Sequence, residues 1–199
     1  MRMCHNTGME THLTTSSVPR HIEAVVNDDL AYFEGLELTL AARERVLQVC
    51  SVSASATSAG WVDLILSWGF DLDASPLVAS QQRSQSWLWY ALARGKIAQA
   101  IALVKAGARR MDVDEQGTSG LGRFIKDNVP FAIDRVLPVL KSLEAQGFGW
   151  KNWPDAEEMN KDAIKMMGAS LGDLVARYDA HSISISTPLT AQDALPVRL

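Results

Sequence analysis

Three apolar runs with helical spacing each close on a glycine, and that recurrence constrains the chain more than any other feature. Residues 61–71, 97–109 and 132–148 carry them, with the glycines at positions 69, 107 and 147. The intervals are therefore 38 (107 − 69) and 40 (147 − 107) residues. A glycine enters the left-handed conformation that ends a helix without the Cβ clash other residues meet. Gly69, Gly107 and Gly147 are thus predicted to sit just past helix C-termini. Clean apolar/polar alternation, the mark of a half-buried strand, is confined to residues 181–186. A repeat of this length in a chain with so little strand patterning predicts stacked helical hairpins.

Composition narrows the classes further. Of 199 residues, 47% are hydrophobic and 21% charged, with a formal net charge of −4, which excludes a disordered chain. No apolar stretch approaches the roughly 18 uninterrupted residues of a membrane span, so no membrane is expected. Lys and Arg are not in excess, so nucleic acid is not an expected partner. The first 20 residues are rich in Thr, Ser and His and lack the apolar core of a secretory signal, which makes the cytoplasm the expected location. Met1, Met3 and Met9 leave the start codon open. Cys4 and Cys50 form no CxxC motif, and His5, His12, His21 and His181 have no ligand partner at i+4. Neither a metal nor a cofactor is expected.

In the middle unit, Trp87, Leu88, Tyr90, Ala91 and Leu92 predict one helix and Arg94-Gly95 a break. Ile97, Ala100, Ile101, Leu103 and Val104 predict a second helix on one face. Residues 86–108 as a whole resemble an ankyrin repeat. Leu88, Ala91, Gly95, Leu103, Val104, Gly107 and Ala108 fall in the register of that family's inner helix, glycine turn, outer helix and Gly-Ala exit. Residues 61–69 resemble another outer helix, with Trp61 and Val62 at the paired apolar positions and Leu64, Ile65 and Leu66 at the tripled ones. Residues 22–33 resemble an opening half-repeat with Asn27-Asp28-Asp29 as its turn, and residues 163–178 a closing one. The resemblance covers residues 19–180. It implies an all-α chain, an α-solenoid of about four to five stacked ankyrin-like helical hairpins. Residues 1–18 are expected to be a disordered leader, and residues 181–199 a tail that is extended, as a short edge strand, or disordered.

The sequence departs from the family in several places. The Thr-Pro-Leu-His start is absent, and Ser86-Trp87-Leu88-Trp89 stands there instead. Pro138 inside the third outer helix predicts a kink or a break. Gly60, Gly120 and Gly122 predict further irregular turns. The Ser- and Ala-rich residues 51–59 suit an inner helix packed closely between two others, or a flexible linker.

Catalytic patterns are missing from the sequence. It has no G-x-S-x-G elbow, and the histidines lie outside the repeats. Asp112-Val113-Asp114-Glu115 lacks the ligand spacing of an EF-hand, and the glycine-rich residues 117–122 lack the Lys-Ser/Thr of a phosphate loop. The expectation is a chain that is not an enzyme, with an unrecognised site as the alternative. In ankyrin-like arrays the loop tips and inner-helix faces form the recognition surface. Trp, Tyr and Arg are the commonest hot-spot residues. The resemblance therefore implies Trp89, Tyr90, Arg94, Arg109, Arg110, Asp112, Asp114, Trp150 and Trp153 as partner-binding candidates. Trp61, Trp87 and Tyr90 equally suit a core, and Trp150 and Trp153 suit exposure or burial. Asp71, Asp73, Asp112, Asp114 and Glu115 fall along one row of turns, as a solvated rim or as steering for a basic partner. The implied function is a non-catalytic protein-binding module, with a bacterial immunity or antitoxin-like protein as the leading form. The alternative is a secreted effector that binds a host protein, with an export signal in the leader through Ser17.

Overall fold

The computed structural model describes residues 19–74, 76 and 85–186, with residues 129–132 and 180–186 described by their backbone alone. Every regular element among them is a helix. They are α1 (Arg20–Val26), α2 (Leu40–Val52), α3 (Gly60–Ser67), α4 (Trp87–Ala93), α5 (Ile97–Ala106), α6 (Gly120–Glu144), α7 (Ala156–Met167) and α8 (Leu171–Ser186). Short 3-10 turns at Ala31–Phe33 and Trp150–Asn152 join them. No described helix is long and apolar enough to cross a membrane.

Local chemistry sets the helix ends. Thr39, Ser86 and Ser119 begin α2, α4 and α6, and their hydroxyls accept from the N–H groups of Ala42, Trp89 and Gly122 at 3.3, 3.4 and 2.9 Å. At the end of α5, Gly107 has φ 111°, and Ala108 N donates to Leu103 O at 2.9 Å while Gly107 N donates to Val104 O. Those paired bonds close the helix through a left-handed residue. Gly69 and Gly147 are left-handed as well, so all three glycines of the sequence period end helices.

Packing runs along the chain. The described helices pack mainly on those one or two places away: α2 meets α1, α3 and α4, α3 meets α5, and α4 meets α5 and α6, while Gln99 of α5 reaches the Cys50 sulfur of α2. Beyond them α5 also meets α6, α6 meets α7 and α8, and α7 meets α8. One continuous apolar core follows this order. Val46 and Cys50 of α2, Trp61 and Ile65 of α3, Leu88 and Leu92 of α4, Leu103 of α5, and Leu121 and Ile125 of α6 are all buried in it.

Several expectations are corrected. Gly120 and Gly122 mark no irregular turn; they form the first turn of α6. Gly120 lies where a Cβ would stand 2.5 Å from the Trp89 carbonyl oxygen and 2.9 Å from its Cα, so glycine lets α6 lie against the α4 backbone. Gly60 likewise opens α3. Pro138 does not break its helix: α6 runs 25 residues through it. Packing on α4, α5, α7 and α8 outweighs one missing backbone bond. Residues 53–59 are not an inner helix, because α2 ends at Val52 and Ser53 turns to an extended ψ of 133°. The backbone of residues 181–186 continues α8 in place of a strand; packing of α8 on α6 and α7 overrides a short alternation. The proposed leader at 1–18 and the tail at 187–199 lie outside the described residues.

A buried lysine joins the turn between α4 and α5 to the end of α2. Lys96, the residue before α5, is 2% exposed, and its Nζ donates to the carbonyls of Cys50 and Ser51. Those oxygens lie in the last turn of α2, where the helix dipole favours a cation. Gln99 Nε2 donates to Ala56 O at 2.7 Å and fixes the loop beyond. Burial pushes the Lys96 amine down to about 8 and the Cys50 thiol up to about 12.

Lys96→Met keeps the stem and removes the donors, and is expected to lower the unfolding free energy by about 2 kcal/mol. Folding lowers the Lys96 pKa from 10.5, so the unfolded chain binds more protons between 8 and 10.5. Wild-type stability should therefore rise relative to Lys96→Met as pH climbs through that window. The raised Cys50 thiol acts in the opposite sense above pH 9, and more strongly in Lys96→Met, which lacks the cation that draws the thiol down; this adds to the same difference. Denaturant titrations of the two proteins across that range measure the difference. Gly120→Ala, despite a helix-propensity gain of about 1 kcal/mol, is expected to lower the melting temperature, because the α4 backbone must move away. An unchanged or raised melting point would contradict that close packing.

Candidate functional site

The turns between successive hairpins are tied to one another by carboxylates that accept backbone N–H groups. Asp73 Oδ1 accepts from Arg109 N at 3.0 Å and Arg110 N at 3.1 Å, binding the turn after α3 to the turn after α5. Asp112 accepts from Ser86 N, at the start of α4. Asp155, before α7, accepts from Ser119 N at 2.7 Å, at the start of α6. Each serine thus caps its helix with its hydroxyl while its own N–H is held by an acid from the turn beyond.

Asp114 organises the turn before α6. Its Oδ1 accepts from Gln116 N and Thr118 N, both at 3.0 Å, and its Oδ2 pairs with Arg123 at 2.7 Å. Asp114 N donates to Thr118 O, and Val113 bridges Ser119, so the turn is a short hairpin-like finger. Burial works to raise the Asp114 carboxyl, and the bonds from Arg123, Thr118 and Gln116 outweigh it, holding it below the usual carboxylate range.

Several of the sequence-predicted residues meet on this row of turns. Arg110 Nε pairs with Asp112 at 2.5 Å and its NH1 donates to Asp73 O. Trp89 is half-buried, and its Nε1 donates to Thr118 O at 3.3 Å, which brings the α4 start to the Asp114 finger. Tyr90 packs edge-on against Trp89 at 5.2 Å and its hydroxyl donates to Gln85 at 3.3 Å. Arg109 is exposed, with its guanidinium 5.4 Å from the Phe148 ring, at the turn between α6 and α7. Trp150 is half-buried in that turn beneath the Lys151 ammonium at 5.8 Å. Arg94 is exposed at the C-terminus of α4.

Two of the candidates are buried by their structural work. Trp153 is 3% exposed; its ring tilts against Phe148 at 6.3 Å and its Nε1 donates to Phe148 O. Asp114 is buried by the finger it caps. Among the core alternatives, Trp61 and Trp87 are buried and Tyr90 is not. Sequence reasoning passed over Ser86, Ser119, Asp155 and Arg123. The available signal was Ser86 and Ser119, each an N-cap type directly ahead of an apolar helix.

A small open concavity of about 60 Å³ lies between the Asp114 finger, α6 and α7, with Lys126, Asp155, Glu158 and Asp162 on its walls. No group of three or more His, Cys, Asp or Glu among the described residues is placed to hold a metal ion. What the row of turns offers chemically is a preformed polar ridge of guanidinium groups and indole rings. No protein-family model matches the chain, and neither a curated protein nor a solved structure does.

Asp114→Asn keeps the size of the side chain and loses the charge held by Arg123. It is expected to lower stability at neutral pH by about 2 kcal/mol. Because folding depresses the Asp114 pKa, its contribution is present above the ordinary value of 3.8 and is lost as pH falls through the lower folded value. The gap between wild type and Asp114→Asn, measured by thermal melts, should therefore narrow in acid. A gap that widens below pH 3.8 would show that the charge is not what the finger uses.

Proposed function

We propose that this chain is a non-catalytic protein-binding module, an ankyrin-like α-solenoid, which acts by blocking a partner protein in the manner of an immunity or antitoxin protein. The reading rests chiefly on the cross-tied row of turns. A surface whose loops are already held by Asp73, Asp112, Asp114 and Asp155 has little ordering entropy left to lose on binding. Exposed Arg109 and Arg110 and half-buried Trp89 and Trp150 on it are of the hot-spot types.

Two further observations support the array. Packing that runs mainly between near neighbours fits stacked repeats. The caps Ser86 and Ser119 are separated in sequence by the length of one ankyrin repeat. From Gly120 onward the register departs from that pattern, since one 25-residue helix replaces the next hairpin.

The experiment is co-expression with the product of the neighbouring open reading frame, followed by co-purification and an assay of that product's activity. A stoichiometric complex with loss of the partner's activity is expected. Arg109→Glu combined with Trp150→Ala should weaken the complex at least about tenfold, a cost of about 1.4 kcal/mol. No complex, with partner activity intact, removes the immunity reading.

A further inference from the structure

The connection between α1 and α2, the first of the described helices, exposes apolar surface. End units in such stacks stay soluble by turning a polar outer face to water. Here Val26, Tyr32, Leu36 and Leu40 are 47%, 36%, 40% and 66% exposed. They are four of the seven large hydrophobic side chains exposed among the described residues, and they fall in the single short stretch 26–40. The other three, Ile164, Met166 and Met167, lie on α7.

These four are not the residue of a failed core. Ala24, Val25 and Phe33 are buried beneath them, and the Phe33 ring meets Trp61 edge-on at 5.4 Å. The support is also rigid. Asp28, left-handed at φ 56°, accepts from Trp61 Nε1 at 2.5 Å and from Thr57 at 3.4 Å, and Asp29 accepts from Tyr32 N at 3.3 Å. The exposed side chains therefore stand on a fixed base and face outward.

Charge says what would cover them. Between His21 and Ala42 the chain carries Glu23, Asp28, Asp29, Glu34 and Glu37, and no Lys or Arg. Asp28 is half-buried and engaged with Trp61, whereas Glu23, Asp29, Glu34 and Glu37 are exposed. Apolar contacts interleaved with four carboxylates complement a surface that is itself apolar and cationic.

We propose that this end face docks a basic amphipathic segment of a partner protein. Its apolar side chains would cover Val26, Tyr32, Leu36 and Leu40, and its Lys and Arg would meet Glu23, Asp29, Glu34 and Glu37. The apolar set supplies contact area, and the carboxylates select the sign of charge and speed encounter. The face shares no residue with the row of turns, so its standing does not depend on the function assigned to that row.

The test uses the full chain and a fluorescein-labelled synthetic helix of Leu and Lys, with a Leu/Glu helix of the same pattern as comparison. In fluorescence anisotropy the Leu/Lys peptide should bind with a Kd of about 10 μM and the Leu/Glu peptide at least about tenfold more weakly. Raising the salt concentration should weaken binding. Leu36→Asp with Leu40→Asp and, separately, Glu34→Lys with Glu37→Lys should each weaken it at least about tenfold. Asp134→Lys, exposed on α6, should leave it unchanged. All four altered side chains of the end face are exposed, and melting temperatures equal to wild type confirm that the variants fold. Equal binding of the two peptides, no binding, or equal loss in Asp134→Lys would overturn the proposal. So would a homodimer that Leu36→Asp dissociates, since a second copy would then be the occupant.

Discussion

The carboxylate that reaches back to a helix start is the interaction on which the rest of this structure depends. A helix leaves four N–H groups without partners at its beginning, and a serine cap satisfies one of them. At α4 and α6 the cap is a serine, and the serine's own N–H is taken by Asp112 and Asp155. Each acid comes from the turn that leads into the next unit. One short bond therefore does two things: it fixes where a helix begins and where the following turn sits. Asp73 ties two turns in the other direction, reaching forward to the N–H groups of Arg109 and Arg110, where no helix begins. Because the acceptors are charged and the donors are backbone, these bonds are stronger than neutral ones and insensitive to side-chain rotamers at the donor.

How much of this could be seen in the chain depends on the range of the signal. Gly69, Gly107 and Gly147 end helices for a reason contained in the glycine itself, and the α4–α5 hairpin follows from its apolar spacing and the Arg94-Gly95 break. Pro138 misled because the lost bond is local while the compensation is not: α6 is held along its length by four other helices. Gly120 misled for the related reason that its small size serves the backbone of Trp89, which lies on another helix and far back in the sequence. Residues 181–186 alternate over too few positions to resist the packing of α8. In the candidate site, the identity of the exposed arginines was legible. The bonds that position them were not, because Asp73, Asp112 and Asp155 act over 36, 26 and 36 residues of sequence.

Lys96 shows the other way in which one unit is fastened to the next. Its ammonium is spent on the carbonyl end of α2, a position that water or a glycine motif would otherwise serve. Desolvation lowers its pKa, yet the charge is set where the dipole of α2 is negative. The result couples the end of α2 to the turn inside the α4–α5 hairpin through one buried side chain. A hydrophobic residue there would fill the space and leave two carbonyls without partners.

The first described helix differs from those after it for the same physical reason that the middle is regular. In the middle, every helix has neighbours on both sides, so its apolar face is used and its turns are tied. At α1 there is no described helix on the far side, and among the described residues none covers Val26, Leu36 or Leu40 once Phe33 has filled the core. Exposed leucine beside aspartate and glutamate resists self-association through charge repulsion, since two such faces brought together would also bring their carboxylates together. The same arrangement attracts a surface of the opposite charge. An apolar face that is acidic thus discriminates by charge in a way a neutral one could not.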